Sequence, residues 1–215
     1  MLQPAEVLRV GIAKLGLHPA AEAIERLETF AALVRSANRA FNLVSRQDIP
    51  RLEARHILDS LTLGAWLLGQ NRLGPGSTLL DVGSGGGFPG LVIAILCPGV
   101  ATQLLDRSAR KVRHLSRCVQ SLGLANVETK CHDVEREAVS DRFDLITSRA
   151  VAPAQAMWPR LRGNLQPNGW FVHMSFTAGE TAQPPEVPGG KSRMEVLQIP
   201  ELDARHIVAV IENSP

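Results

Sequence analysis

Residues 79–90, LLDVGSGGGFPG, constrain the fold more tightly than any other stretch of the chain. An apolar run ends in an acid at Asp81, and glycines follow at 83, 85, 86, 87 and 90. A strand does not continue through such a stretch, because glycine brings no side chain to pack and loses the most freedom on ordering. The apolar run GLVIAIL then starts at Gly90 and reads as a short buried helix. Strand, bare turn and helix together open a crossover unit, and crossover units build parallel sheets covered by helices. With no Cβ at 83, 85 and 87 the chain can turn sharply and a ligand can come close to the main chain.

The alternation continues downstream. VATQLLD reads as a second strand ending at Asp106, and SARKVRHLSRCVQSLG as a helix with Ser108 near its start and Gly123 at its end. NVETKC, FDLITS and NGWFVHMS are expected strands three to five, with a helix around 153–163 between the last two. MEVLQI and RHIVAVIE look like a closing antiparallel pair, and TAQPPEVPGGKS reads as a mobile loop. The expected class is α/β, a mostly parallel sheet with helices on both faces. Upstream, residues 4–40 read as two helices broken near GLHP, with Ile24, Leu27, Phe30, Leu33 and Val34 at helical spacing. FNLVSRQDIP is a connector. Asp48 is placed to cap a helix running to about Leu68, with Pro50 in its first turn. GQNRLGPG then marks a boundary, giving a helical N-terminal extension over 1–72 packed on a core over 73–215.

A net charge of +2 over 215 residues demands no acidic partner. The placement of charge says more. Arg107, Arg110, Lys111, Arg113 and Arg117 fall within eleven positions that hold no acid, and Arg35, Arg39, Arg46, Arg51 and Arg55 punctuate an earlier region. Such clusters are either phosphate-binding surfaces or solvated helix faces, and the pattern alone leaves both open. Cys97, Cys118 and Cys131 are odd in number and lack metal-ligand spacing, so neither a disulfide framework nor a metal is expected. The opening MLQPAEVLRV lacks the plan of a signal peptide, and no apolar run approaches the ~20 residues that span a bilayer. A cytoplasmic monomer with no membrane partner is the expectation.

Two cofactor classes compete for the glycine turn. A dinucleotide site needs G-x-G-x-x-G, so that a pyrophosphate sits on the helix N-terminus. Counted from Gly83, the third glycine would fall on Phe88. DVGSGGG fits better as acid-x-G-x-G-x-G, which resembles the glycine loop of class I methyltransferases, binders of S-adenosylmethionine. Asp106, ending the second strand, suits either cofactor, because a carboxylate can accept both ribose hydroxyls. It can equally cap the helix that follows.

Five segments together narrow the choice: NLVS at 42–45, RHILDS at 55–60, the glycine loop, DRSARKVRHL at 106–115 and ITSRAVAP at 146–153, with DARHIVAV near the end as a weaker match. They resemble the bacterial small-subunit ribosomal RNA guanine-N7 methyltransferases, the glucose-inhibited division protein B family. The resemblance implies a Rossmann-like methyltransferase core, S-adenosylmethionine as methyl donor, and a guanine N7 in the decoding region of 16S ribosomal RNA as acceptor, in free RNA or in the small ribosomal subunit. It places cofactor contacts on Gly83, Phe88, Val134, Glu135 and Arg149. Asp81 and Gly85 belong to the same loop, and Asp106 is added on its own chemistry. Arg107, Arg110, Lys111 and Arg113 are the expected RNA contacts. Two departures stand out. Ala37 and Asn38 occupy the neighbourhood where relatives carry an aromatic residue, with Phe41 the nearest ring, and MSFTAGE lacks the lysine-glycine pair common after the fifth strand.

On a helix, RHILDSL sets Arg55 four residues from Asp59 and His56 four from Ser60. This polar row is either an internal salt bridge anchoring the extension or a patch that shapes the guanine site. No catalytic base is assigned, because guanine N7 carries a lone pair and no proton. Arg149 is expected to meet phosphate, a cofactor carboxylate or an acid such as Asp59. A small-molecule methyltransferase and a non-catalytic RNA-binding module remain as alternatives.

Overall fold

The structure, a computed structural model, describes residues 3–149, 151–175, 183–202 and 204–213. Its centre is a seven-stranded sheet: β1 Thr78–Val82, β2 Ala101–Asp106, β3 Val127–Cys131, β4 Phe143–Arg149, β5 Leu165–Ser175, β6 Gly190–Ile199 and β7 Ala204–Asn213. The order is β3-β2-β1-β4-β5-β7-β6. The first five strands pair in parallel, and β7 joins antiparallel to β5 and to β6. From β1 the chain builds outward through β2 to β3, then returns to place β4 on the other side of β1. The β1/β4 junction is therefore the point where strand order reverses, and in open α/β sheets ligands bind there, beyond the carboxyl ends of the strands.

The helices are α1 Pro4–Lys14, α2 Ala21–Asn38, α3 Asp59–Gly69, α4 Gly90–Leu96, α5 Ala109–Leu122 and α6 Ala154–Leu161. Leu79 packs with Leu63, Leu67 and Ile93 on one face of the sheet, while its neighbour Leu80 packs with Met157, Trp158 and Leu161 on the other. A strand apolar on both faces is what a doubly covered parallel sheet requires. Gly123 ends α5 in the left-handed conformation, φ +60°, as a glycine after a helix does.

The extension shares the core instead of resting on it. Leu8, Leu27, Phe30 and Val34 form one apolar cluster with Phe88, Leu91, Val92 and Leu104. The Phe30 ring lies 5.2 Å from that of Phe88, at the end of the glycine loop.

Three local expectations are corrected. Asp48 makes no capping bond, and the chain after it runs through a 3₁₀ turn, Ile49–Arg51, and a π-helical turn, Glu53–Leu58, before α3 begins. The Asp48 carboxylate is taken instead by Arg55 Nε at 3.2 Å and His56 Nε2 at 3.1 Å. The turn expected before the fifth strand is a register shift inside β5, with Asn168 at φ +61°. Of the expected loop, 183–189 has no regular structure and 190–192 already belongs to β6; residues 181–182, and 176–180 where the lysine-glycine pair is missing, lie outside the described residues.

Phe30→Ala should cost about 3–5 kcal/mol, as emptying a fully buried aromatic site does. Denaturant unfolding checks this, and a loss confined to the extension, with the core unfolding unchanged, would contradict a shared core.

Candidate functional site

The carboxyl edge of the sheet at the reversal point holds a cleft of about 370 Å³. The glycine loop forms one wall, the ends of β2 and β3 the floor, and Arg149, Phe88 and Leu43 close the other side. The loop is held by its own backbone: Gly83 N–H and Ser84 N–H both donate to Leu105 O, at 2.8 and 2.9 Å, and Gly87 N–H donates to Ser84 O at 2.7 Å. Gly83 sits at φ +72°, and a Cβ there would lie 2.4 Å from Val151 Cγ2. At Gly87, φ +100°, a Cβ would meet Phe30 Cζ at 2.9 Å. Side chains are excluded at the first by a neighbour on the rim of the cleft and at the second by the core beneath.

Gly83, Gly85, Phe88, Asp106, Val134, Glu135 and Arg149 all line this cleft. Asp106 is nearly buried. Its Oδ2 accepts Gly85 N–H at 3.0 Å and its Oδ1 accepts Ser108 N–H at 2.8 Å. It therefore fastens the glycine loop to the start of α5, and each oxygen keeps a further lone pair. Lys111 Nζ stands 3.8 Å from Asp106 Oδ2, so Lys111 and Arg107, expected on the RNA face, also line the cleft.

Other expected residues lie elsewhere. Asp81 is fully buried behind the loop: Oδ2 accepts Gly90 N–H at 3.1 Å and Oδ1 accepts the Thr147 hydroxyl at 2.8 Å. Burial pushes its carboxyl upward, against those hydrogen bonds. Its place at a cofactor is corrected to a clamp between β1, β4 and α4. Arg110 donates to Ala40 O at 2.8 Å and lies 4.2 Å from the centre of the Phe41 ring, tying α5 to the connector. Arg113 is exposed and away from the cleft.

The pairing expected within RHILDSL does not form. A π-helical turn holds an extra residue, so four-apart side chains no longer align across it. Ser60 is buried and its hydroxyl donates to His56 O at 2.7 Å. Asp59, also buried, binds Arg149 Nη1 through Oδ2 at 3.2 Å and His206 Nδ1 through Oδ1 at 2.5 Å. Arg149 Nη2 donates to His56 Nδ1 at 3.1 Å. A guanidinium cannot accept, so His56 carries its proton on Nε2 and donates it to Asp48. His56 is pushed down to about 4, by burial first and by the Arg149 charge second. The salt bridge that anchors the extension thus runs from α3 to β4 and β7, and Arg149 meets an acid as expected. Arg55, His56, Asp59 and Ser60 do not line the cleft.

Residues that sequence reasoning missed are Leu43, Val82, Ser84, Gly86, His132, Asp133 and Val151, all on its lining. Asp133, one position before Val134, was the readable signal, since an acid just beyond a strand of such a sheet faces the ligand edge. Among the described residues no group of three or more metal-ligating side chains is present.

Asp59→Ala leaves the Arg149 guanidinium buried without its carboxylate, and should cost about 3–5 kcal/mol in denaturant unfolding. A cost within ~0.5 kcal/mol, the range of a surface substitution, would show the pair to be immaterial. His56, His114 and His173 are each lowered from 6.5 to about 4, chiefly by burial. Between those values the unfolded chain binds protons that the folded chain refuses, so stability is held above about pH 6.5 and falls as pH drops toward 4. Urea midpoints across that window check it; His114→Gln should make the decline shallower, and a flat profile would refute it.

The family model described as rRNA small subunit methyltransferase G matches residues 23–208. The ribosomal RNA small subunit methyltransferase G of Halorhodospira halophila is 37% identical over 202 residues, 94% of this chain and 91% of that protein. The protein of the same name from Neisseria meningitidis serogroup C is 35% identical over 213 residues, 98% of this chain and 99% of that protein. Among solved structures, MtNAS in complex with MTA and tNA aligns with a TM-score of 0.58 at 14% identity, covering 88% of this chain and 70% of that one. An RNA methyltransferase from Salinibacter ruber, in complex with S-adenosyl-L-homocysteine, aligns with a TM-score of 0.51 at 19% identity, covering 71% of this chain and 90% of that one. The fold is thus that of Rossmann-like methyltransferases, and the chain, matched over most of its length, belongs to the rRNA small subunit methyltransferase G family.

Proposed function

We propose that this chain transfers a methyl group from S-adenosylmethionine to N7 of a guanine in the decoding region of 16S ribosomal RNA, by direct attack and without a general base. The observation that carries the reading is the cleft itself: a glycine wall in which Gly83 and Gly87 have no room for a Cβ, with the Asp106 carboxylate beside it, at the reversal point of the sheet. Family membership and the methyltransferase fold support it.

The donor set fits the cofactor. Gly83 and Gly85 let it approach the main chain, Asp106 has lone pairs free for ribose hydroxyls, and Val134 with Glu135 offers an apolar face and an acceptor at the end of β3, where an adenine would lie. Phe88 and Arg149 close the opposite side. When bound, the cofactor supplies a methyl carbon attached to a positively charged sulfur. With the donor held there, transfer of its methyl to the guanine N7 lone pair would leave the carbon–sulfur electron pair on sulfur and the positive charge on the base. No proton moves, so no residue need act as a base. His56 fits that requirement, since both ring nitrogens are engaged and its tautomer is fixed. The chain's task is to hold the three reacting atoms in line, which supplies on the order of 7–11 kcal/mol.

Arg107, Lys111 and Arg113 on α5 and just before it are assigned to phosphates of the RNA, in free 16S RNA or in the small subunit, and Arg110 joins them only through the N–H groups that Ala40 leaves free. Lys111 does so while standing beside Asp106. Residues 1–72 form the extension that closes the cleft, 73–215 the methyltransferase core, and the chain works as a cytoplasmic monomer.

Labelled S-adenosylmethionine, incubated with the chain and unmodified small-subunit RNA or particles, should yield one methylated guanine on mass mapping; no transfer to either substrate would end the reading. Asp106→Ala should weaken donor binding by about tenfold or more in calorimetry, the loss of a charged acceptor. Unchanged affinity would remove Asp106 from the donor site.

A further inference from the structure

We propose that a second cleft beside the first is the acceptor subsite, and that it takes a single purine turned out of its RNA strand. This rests on the methyl-transfer reading above. The second cleft has a volume of about 510 Å³, within the roughly 300–1,000 Å³ of small-ligand sites. It lies beside the last residues of β5, over the paired Ala209 of β7 and Met194 of β6 and against the first turn of α6, and Val151 lines both clefts. Val151 is partly exposed and is the neighbour that a Cβ on Gly83 would strike. Among the described residues Val151 is the one that the two linings share.

The two linings differ in charge. Asp106, Arg107, Lys111, Asp133, Glu135 and Arg149 surround the first cleft. Among the described residues lining the second there is no Asp, Glu, Lys or Arg. The one titratable group among those residues, His173, is lowered to about 4 by burial and by His206, and so is neutral at physiological pH. A phosphate would find no cation among those residues, whereas an uncharged ring would find Pro153, Pro185 and Met194. The polar groups are two carboxamides, Gln155 and Gln183, with Ser175 and His173. Each carboxamide offers an acceptor and donors, the pattern that pairs with a purine edge. The His173 ring is fixed through Nδ1, 2.8 Å from Ser148 Oγ.

The lack of charge also suits the product. Methylation at N7 leaves the base positive, and a lysine or arginine against it would raise the barrier. Carboxamide oxygens at the donor edge of the ring stabilise that charge instead. The polar row at 55–60 cannot serve this purpose, because Asp59 and Ser60 are buried under the sheet edge. Turning the base out of its stack costs a few kcal/mol, least where the strand is already single.

Gln155 is exposed on α6, so its substitutions leave the core intact. Gln155→Trp fills the cleft and should lower the single-turnover methylation rate by about a hundredfold or more, with donor affinity unchanged by calorimetry; Gln155→Ala should lower it by about tenfold. A binding readout stands apart from activity. With methyl-labelled methionine and saturating S-adenosylhomocysteine, 7-methylguanosine 5′-monophosphate should move the Met194 resonance by ring current and leave buried Met157 in place. The Gln155→Trp chain should show no such movement. Wild-type rates in Gln155→Trp, or a probe that leaves Met194 unmoved, overturns the assignment. Absence of methyl transfer by the unsubstituted chain would instead overturn the reading on which it rests.

Discussion

The Arg149 guanidinium is the charge around which this molecule is arranged. It ends β4 with little access to water, and a buried cation persists only where carboxylates and acceptors surround it. Asp59 supplies the carboxylate and His56 the acceptor; His206 on β7 holds Asp59, and Asp48 in the connector holds His56. Segments from opposite ends of the sequence thus converge on one group. The N-terminal extension is consequently part of the cleft's construction, since residues 48–59 fix the side chain that forms its wall. Phe88 joins the same arrangement, with its ring centre 5.1 Å from the guanidinium and 5.2 Å from that of His56.

Much of the architecture was legible because alternation of short apolar strands with helices leaves few packings open. Leu79 and Leu80, apolar side by side, announce a strand covered on both faces. The switch to an antiparallel edge was legible too, since MEVLQI and RHIVAVIE are separated by too few residues for a crossover helix. The π-helical turn at 53–58 was not, because EARHIL carries an ordinary helical pattern. Its extra residue is set by distant partners: Glu53 is held by Arg35 from α2, and His56 by Asp48 and Arg149. No local signal encodes that, and the side-chain pairings of Arg55 with Asp59 and of His56 with Ser60 are lost with it, Ser60 bonding the His56 carbonyl instead.

The site was legible where chain position alone decides which residues reach the sheet edge. Glycines at a strand end, and the first residues beyond β3, must lie there. Asp81 and Asp106 show the limit. Both read as acids ending strands, yet the register pairs Asp81 with Leu104 and Val82 with Leu105, so Asp106 lies beyond the end of β1 while Asp81 lies within it. One side chain reaches the cleft and the other is enclosed by Thr147 and Gly90. Lys111 and Arg110 differ for a related reason. One position apart on α5, they point to different neighbours, so a run of bases in the sequence separates into a cleft residue and a structural contact with Phe41.

A methyl transfer of the proposed kind moves one positive charge from sulfur to a ring, and the surroundings must tolerate that charge at both stations. Arg149 would oppose it at the first station were it bare. Its pairing with Asp59, and the acids Asp106, Asp133 and Glu135 on the same lining, give that cleft an anionic complement against its arginines and lysine. Among its described lining residues the second station has no charge of either sign, and those residues offer the arriving cation dipoles alone. The His173 dipole, held by Ser148, needs no reorganisation as the charge arrives, which is how a preorganised group lowers a barrier. The same reasoning explains why His173 is useful only while neutral: a proton there would place a second cation against the ring. Burial beside His206 keeps that proton off, and the Ser148 hydroxyl holds the neutral ring in place.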